Sequence, residues 1–240
     1  MAGVIGWHEL YTSDLGVASF YAELLGAEIH TEDMGDFQYP MLKKGDQMHG
    51  GFVLKDEDHQ HVPSHWYPYV MVDDVDASVE RAQSLGSQLL HGPASVDVLR
   101  FAVLMDPQHA TYGVISSPNP PAGGLFVWDE LHAVDTGTAR QHYGELFGWT
   151  TSQMMENYEI FNAGEAQVGG LYAKDDDAPG AYWLTYIAVD DVDASTAKAQ
   201  ELGAGVMIQP ADIPDIGRFS VITDPTGAAV GLYKSANPQS

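Results

Sequence analysis

The chain has 240 residues, of which 45% are hydrophobic, and its 34 acidic side chains against 10 lysines and arginines give a formal net charge of −24. This composition can bury an ordinary core, while a surface so acidic repels phosphate backbones and anionic lipid and so argues against nucleic-acid and membrane partners. Cysteine is absent, which excludes disulfides, thiolate metal sites and cysteine nucleophiles.

The first residues of the sequence bear on the expected location of the protein. Met1 to Gly6 contain no basic segment, and no apolar run reaches the length of a membrane span. We therefore expect a cytoplasmic protein. The acidity is typical of a solvated surface, and by itself it indicates no ligand.

The chain contains one sequence pattern twice. The segment Val72–Ser78, which reads V-D-D-V-D-A-S, returns unchanged as Val189–Ser195. Such a repeat predicts two similar domains, residues 3–118 and 125–238, each close to the usual size of a domain. Residues 119–124 between them are rich in proline and glycine, can continue neither a helix nor a sheet, and are predicted to be a linker.

Hydrophobic periodicity predicts the elements of the first copy in chain order. Residues Ile5 to Thr12 alternate as in a strand, and a helix follows that we expect Asp14 to cap and Gly26 to end. Three short strands come next, and after the loop at Pro63 the same order of elements recurs. The predicted strands after the first are 27–31, 39–42, 50–54, 67–72, 88–90, 101–105 and 113–116, with a second helix from Asp74 to Gly86. Each copy is thus predicted to be two βαβββ modules, so the fold class is α+β.

Four such modules in tandem resemble the vicinal oxygen chelate superfamily, which includes glyoxalase I, bleomycin-resistance proteins and extradiol dioxygenases. The residues that carry the resemblance are F-Y-A-E-L-L-G at Phe20–Gly26, H-Y-G-E-L-F-G-W at His142–Trp149, and D-P-x-x-A beginning at Asp106 and at Asp224. Within that superfamily the chain resembles the two-domain glyoxalase-like subfamily. The resemblance implies a curved mixed sheet around a cleft in each domain. It implies no single chemistry, because this fold carries isomerases, dioxygenases and metal-free binding proteins.

The resemblance also implies where a metal ion would be bound, since the metal-dependent members place His, Gln or Glu at matching strand positions. Indole, leucine and glycine side chains offer a divalent ion no ligand, and a phenol is a poor one. We therefore expect the usual metal site to be lost and no cofactor to be needed, with a divalent metal on other ligands as the alternative. The residues at these positions are Trp7, Tyr67 and Gly113 in the first copy and Trp128, Leu184 and Gly231 in the second.

Glu9 and Glu130 are the candidate catalytic residues. Strand alternation places each of them on the face that carries a tryptophan two residues earlier, so each carboxylate is expected to lie among aromatic side chains. There it could act as a general acid or base, or bind a polar group of a ligand. The structural alternative is an ion pair with an arginine, and Arg100 and Arg218 recur in the two copies.

Aromatic side chains could line an apolar cleft in each copy and stack on a planar ligand. The alternative is that they pack between sheet and helices, and strand parity predicts that about half of them do. The candidate ligand-binding residues are Trp7, Tyr11, Tyr67, Arg100, Trp128 and Arg218.

Three histidines, His59, His61 and His65, lie close together between two modules and could hold zinc or nickel. The corresponding segment of the second copy contains no histidine, which favours a solvated loop.

Two functions remain open from the sequence. The first is a protein that binds a small, aromatic or apolar molecule in a cleft, with the usual metal site lost. The second is an enzyme of the same fold, either a metal-free lyase, isomerase or cyclase that uses Glu9 or Glu130 as acid or base, or a glyoxalase or dioxygenase with non-standard metal ligands. The expected partner is a small molecule rather than nucleic acid or membrane, and the chain is expected to be a monomer or a homodimer.

Overall fold

The computed structural model describes residues 3–35, 37–118, 124–174, 177 and 180–237. Of the predicted linker 119–124, residues 119–123 lie outside the described residues. In the described ranges no helix is long and apolar enough to cross a membrane.

The two copies contain the same elements in the same order, as the repeat predicts. The first copy contains β1 (Ile5–Thr12), α1 (Val17–Leu25), β2 (Glu28–Asp33), β3 (Gln38–Lys44), β4 (Gln47–Leu54), β5 (His65–Met71), α2 (Val75–Ser84), β6 (Gln88–Val96), β7 (Leu99–Met105) and β8 (Thr111–Ser116). The second contains β9 (Phe126–Ala133), α3 (Thr136–Phe147), β10 (Thr150–Met155), β11 (Tyr158–Ala163), β12 (Ala166–Ala173), β13 (Tyr182–Ala188), α4 (Val192–Glu201), β14 (Gly205–Ile213), β15 (Gly217–Thr223) and β16 (Ala229–Ser235).

Each copy forms one mixed eight-stranded sheet, and the predicted α+β class is confirmed. The strand orders are β2-β3-β4-β1-β5-β8-β7-β6 and β10-β11-β12-β9-β13-β16-β15-β14. β1 runs parallel to β4 and β9 runs parallel to β12, with Glu9 opposite Gly51 and Glu130 opposite Gly170. This register places each candidate carboxylate beside one residue of a Gly-Gly pair.

Two local expectations were wrong. The strand predicted at 88–90 continues to Val96 through Pro93, because β6 is an edge strand and its register with β7 shifts between His91 and Ala94. Asp14 does not cap α1. A turn separates it from the helix, and its Oδ1 accepts a hydrogen bond from the Gly16 backbone N–H at 2.8 Å instead.

The chain divides into two compact units, and each unit takes modules from both copies. Unit 1 falls within Met1–Trp7, Tyr67–Pro120 and Trp128–Leu184, and unit 2 falls within His8–Trp66, Pro121–Val127 and Thr185–Ser240. Each unit therefore builds its core from two modules that are not in the same sequence copy. The domain boundaries predicted from the repeat stay a prediction.

The core of unit 1 is organised around Tyr143 of α3, which is fully buried. Its hydroxyl donates to Oδ2 of Asp106 at 3.0 Å and accepts from Nε1 of Trp183 at 3.3 Å. Oδ1 of Asp106 accepts the backbone N–H groups of Gln108 and Ala110 at 2.8 and 2.9 Å. The Asp-Pro motif thus closes its own turn with one oxygen and binds a tyrosine of the other copy with the second.

Unit 2 repeats this arrangement with the copies exchanged. The hydroxyl of buried Tyr21 donates to Oδ2 of Asp224 at 2.8 Å and accepts from Nε1 of Trp66 at 2.8 Å. Oδ1 of Asp224 accepts the backbone N–H groups of Thr226 and Ala228. Each core combines the tyrosine motif of one copy with the Asp-Pro motif of the other copy. Both copies therefore need both motifs.

The two cores differ at one buried polar cluster. In unit 1 the Ser87 hydroxyl lies 3.0 Å from the Tyr112 hydroxyl and 3.2 Å from Nε2 of His142, and burial lowers the pKa of His142. The corresponding positions of unit 2 are all apolar. They are occupied by Ala204, Val230 and Phe20.

Candidate functional site

Strand β9 separates the core-facing side chains from those of the candidate site. Asp129, Leu131 and Ala133 are buried, whereas Trp128, Glu130 and His132 alternate with them and are only partly buried. Glu130 and Trp128 therefore lie on the same face of β9, as the sequence predicts. His132 lies on the same face.

Glu130 is held by a tyrosine from a neighbouring strand. Tyr158, the first residue of β11, donates its hydroxyl proton to the Glu130 carboxylate and accepts a hydrogen bond from Nε1 of Trp128 at 2.8 Å. Burial and the nearby carboxylate raise the pKa of Tyr158, so its phenol stays protonated and able to donate. The carboxylate keeps 14% of its side-chain surface exposed.

A glycine makes this contact possible. β12 lies between β11 and β9, and Gly170 stands opposite Glu130. A Cβ atom at Gly170 would overlap the Tyr158 hydroxyl and come within 3.2 Å of Nε1 of Trp128. The bare glycine therefore lets the tyrosine cross β12 and reach the carboxylate.

His132 extends the cluster to the next aromatic residues. Its Nε2 lies 2.8 Å from Oε1 of Glu130, and its ring stacks on Tyr182 with a centroid distance of 4.7 Å and an interplanar angle of 11°. The Tyr182 hydroxyl is 3.2 Å from Nδ1, and Tyr172 approaches the imidazole edge-on at 5.5 Å. Sequence reasoning missed His132, although the alternation of β9 already places it beside Glu130.

The first copy contains the same tyrosine, glutamate and glycine. The Tyr39 hydroxyl donates to Oε1 of Glu9 at 2.6 Å, and a Cβ atom at Gly51 would overlap that hydroxyl. Tyr11 takes the position of His132, and His65 takes the position of Tyr182, with their rings edge-to-face at 6.0 Å. The histidine and the tyrosine are thus exchanged between the copies.

The predicted arginines lie on β7 and β15 and bind helix residues rather than the cluster. Arg100 donates to both oxygens of Asp76, at 2.5 and 2.6 Å, in the first turn of α2. Arg218 does the same with Asp193 of α4, at 2.6 and 2.9 Å, and also binds Asp212. Both guanidinium groups therefore tie a helix to its sheet.

The histidines near Pro63 divide into an exposed pair, His59 and His61, whose ring centroids lie 6.4 Å apart, and the partly buried His65. His59 and His61 are exposed, and Nδ1 of His59 lies 2.6 Å from Oδ1 of Asp56. His65 begins β5, its Nδ1 lies 2.9 Å from the Pro63 carbonyl oxygen, and burial lowers its pKa.

A shallow depression of about 600 Å³ opens in unit 2 beside the start of α1. Half of its lining residues are polar, including Asp14, Glu23 and Thr226, and Phe20 is its one aromatic side chain. Because it contains neither glutamate-tyrosine pair, we place the candidate site at Glu130.

Comparisons with known proteins agree with this architecture. Residues 15–115 match the glyoxalase-like domain, and residues 130–232 match the glyoxalase/bleomycin resistance protein/dioxygenase superfamily. The chain is 32% identical over 99% of its length to "Putative glyoxylase CFP32" of Mycobacterium tuberculosis, with 97% of that protein covered. The chain belongs to the glyoxalase/bleomycin resistance protein/dioxygenase superfamily. This is the vicinal oxygen chelate superfamily that the sequence resembles.

Two further proteins extend the comparison. The chain is 28% identical to "Anthracycline biosynthesis protein DnrV" of Streptomyces peucetius, over 97% of the chain and 86% of that protein. The Mn(II)-bound glyoxalase of Novosphingobium aromaticivorans superposes with a TM-score of 0.69 at 15% identity, over 97% of this chain and 83% of that one. At that identity the match shows the fold alone.

The residues at the superfamily's metal positions do not fit a metal ion. A side chain at Gly113 would overlap the ring of Tyr69, and a side chain at Gly231 would overlap the ring of Tyr186, so an aromatic ring lies over each glycine. Tyr67 is buried beside Tyr69, at a centroid distance of 5.5 Å, and Trp7 is half-buried on β1. Within the described ranges, no three His, Asp or Glu side chains are grouped as metal ligands.

Proposed function

We propose that this protein binds a small, planar, aromatic or apolar molecule at the second copy's site, without the metal ion of the superfamily. The observation that carries the proposal is the cluster of aromatic side chains around one partly exposed carboxylate. Its members are Trp128, Glu130, His132, Tyr158, Tyr172 and Tyr182.

This cluster has the two properties of a small-molecule site. Aromatic rings offer large apolar surfaces on which a planar ligand can stack, and few polar groups are needed to fix its orientation. Glu130 is such a group, because the Tyr158 hydroxyl donates a hydrogen bond to its carboxylate. One relative is named as an anthracycline biosynthesis protein, and anthracyclines are planar polycyclic compounds, which agrees with this ligand class.

Metal-free binding is supported by the residues at the superfamily's metal positions, where Tyr69 and Tyr186 lie over glycines. The measurement is elemental analysis of untagged protein purified without chelators, together with thermal shifts in zinc, nickel, manganese and iron(II). We expect no stoichiometric metal and no stabilisation. Stoichiometric metal that stabilises the fold would contradict this part of the proposal.

Binding is tested by calorimetric titration with acridine, a planar heteroaromatic compound that is neutral at about pH 7.5. Tyr172→Leu should weaken acridine binding about tenfold, the loss of about 1.4 kcal/mol expected for one stacking wall. Phe37→Ala is the matched control, because Phe37 is an exposed aromatic outside the cluster. Absence of acridine binding, or equal losses in both variants, would overturn the proposal.

The second candidate function is a metal-free enzyme that transfers a proton, and the 2.8 Å contact between Glu130 and His132 favours it. A carboxylate beside an imidazole is a common acid-base arrangement. Once a ligand is identified, Glu130→Gln should keep its affinity and lose turnover if Glu130 moves the proton. Equal turnover in the variant would exclude this role.

A further inference from the structure

We propose that the ligand of the second copy's site carries a positively charged nitrogen, which Glu130 and the surrounding aromatic rings bind. This inference rests on the proposed function and specifies the chemistry of its ligand.

The aromatic part of the site suits a cation. The faces of indole and phenol rings carry negative potential, so they attract an ammonium group, and more strongly when water is excluded. Trp128, Tyr158 and Tyr172 are joined by one hydrogen bond and one ring contact, with a Tyr158–Tyr172 centroid distance of 6.5 Å. Tyr182 stacks on His132. An indole and three phenols thus belong to one cluster with a single carboxylate, which Tyr158 contacts directly.

The charge of that carboxylate is not matched by a permanent cation. The groups in contact with Glu130 are the Tyr158 hydroxyl and the His132 imidazole, and in the described ranges no lysine or arginine pairs with it. The arginines of this unit are engaged elsewhere: Arg81 with Glu145, Arg100 with Asp76 and Arg140 with Glu159. Glu130 therefore offers an ion-pair partner to a cationic ligand.

The net charge of the chain acts in the same direction. With 34 acidic and 10 basic side chains, the protein attracts cations and repels anions before they reach any site. Such long-range attraction raises the association rate and falls with ionic strength. A neutral or anionic ligand would gain nothing from this field.

Three probes with one ring system separate these contributions. They are 9-aminoacridine, which is a cation at about pH 7.5, neutral acridine, and anionic acridine-9-carboxylate. In calorimetric titrations at low and at moderate salt, 9-aminoacridine should bind at least tenfold more tightly than acridine, and the carboxylate should bind most weakly. Only the affinity of the cation should fall strongly with salt.

Two variants with the same change in net charge locate the effect. Glu130→Gln should reduce the affinity for 9-aminoacridine about tenfold more than the affinity for acridine, and an unfolding transition like that of wild type shows that the variant is folded. Glu165→Gln removes an exposed charge from the turn between β11 and β12, and should leave both affinities unchanged. The same loss in both variants would assign cation binding to the acidic surface and overturn the inference.

The outcomes also separate the inference from the function on which it rests. If acridine binds but 9-aminoacridine binds no more tightly, the inference fails and the proposed function stands. If none of the three probes binds, the proposed function fails first.

Discussion

Removing the hydroxyl of Tyr143 tests whether the core of unit 1 depends on the tyrosine-aspartate contact between the copies. The variant is Tyr143→Phe, which keeps the ring and removes one oxygen from a fully buried position. Two hydrogen bonds are lost: the donation to Asp106 at 3.0 Å and the acceptance from Nε1 of Trp183 at 3.3 Å.

The expected cost follows from those two bonds. A hydrogen bond to an ionised acceptor contributes about 1.5–3 kcal/mol, and a buried indole N–H left without its acceptor costs about 1 kcal/mol when the bond was long. The free energy of unfolding should therefore fall by about 3 kcal/mol, which lowers Tm by about 6–12 °C for a chain of this size. Tyr21→Phe in unit 2 should cost more, because both of its bonds measure 2.8 Å.

The pH dependence provides an independent check. Burial raises the pKa of Asp106, and the bond from Tyr143 opposes that rise because it stabilises the ionised form. The stabilisation by Tyr143 is therefore present while Asp106 is ionised and is lost as the pH falls through the raised pKa of this carboxyl. The difference between wild type and Tyr143→Phe should shrink towards acid pH.

The assay is denaturant unfolding followed by circular dichroism, with both variants measured at neutral and at acid pH. A loss below about 1 kcal/mol for Tyr143→Phe, or a larger loss for it than for Tyr21→Phe, would refute the reasoning from these distances.

Three further tests, with four variants, address other parts of the molecule. Gly170→Ala should push Tyr158 off Glu130 and lower the free energy of unfolding by about 2 kcal/mol in urea melts, and an unchanged melt would show that Tyr158 can move aside without cost. Burial lowers the pKa of His142 in the folded state. The stabilisation by neutral His142 is therefore fully present above the ordinary histidine pKa of 6.5, and it is lost as the pH falls through the lowered folded-state pKa. His142→Phe introduces the phenylalanine that unit 2 has at this position. Between about pH 7.5 and about pH 5, the Tm of this variant should therefore fall less than the Tm of wild type, and an equal fall would contradict this. Asp74→Ala should cost about 1 kcal/mol in thermal unfolding because Asp74 caps α2, whereas Asp14→Ala should cost less because Asp14 caps no helix, and the reverse order would be inconsistent with these caps.

The sequence predicted those features that depend on neighbours along the chain. The alternation of β1 and β9, the cap at Asp74 and the helix end at Gly26 were predicted, since each depends on residues within one turn or one strand. The face shared by Trp128 and Glu130 follows from the same periodicity.

The contacts between strands could not be predicted from neighbours along the chain. That Tyr158 crosses Gly170 to reach Glu130 depends on which strand lies between β11 and β9, and a Gly-Gly pair alone does not specify the side chain that will cross it. Likewise, Arg100 has several carboxylates near it in sequence, and only the packing of α2 on β7 selects Asp76.

The packing of modules from different copies into one core could also not be predicted from the sequence. Tyr21 and Tyr143 are equivalent residues of two equivalent motifs, and nothing local indicates whether each binds the aspartate of its own copy or that of the other. A repeat shows which modules are alike but not which of them pack together.

Because each core joins modules of both copies, the residues in contact are separated by very different lengths of chain in the two units. The two cores are therefore completed in a fixed order on the ribosome. Tyr143 lies 37 residues from Asp106, so this contact of unit 1 can form once α3 has emerged. Tyr21 lies 203 residues from Asp224, so the early module of unit 2 leaves the exit tunnel long before its partner is synthesised. Until then the apolar face of α1 has no complete core to enter. In the cell, this nascent segment is the part of the protein with the longest exposure to chaperones and to aggregation.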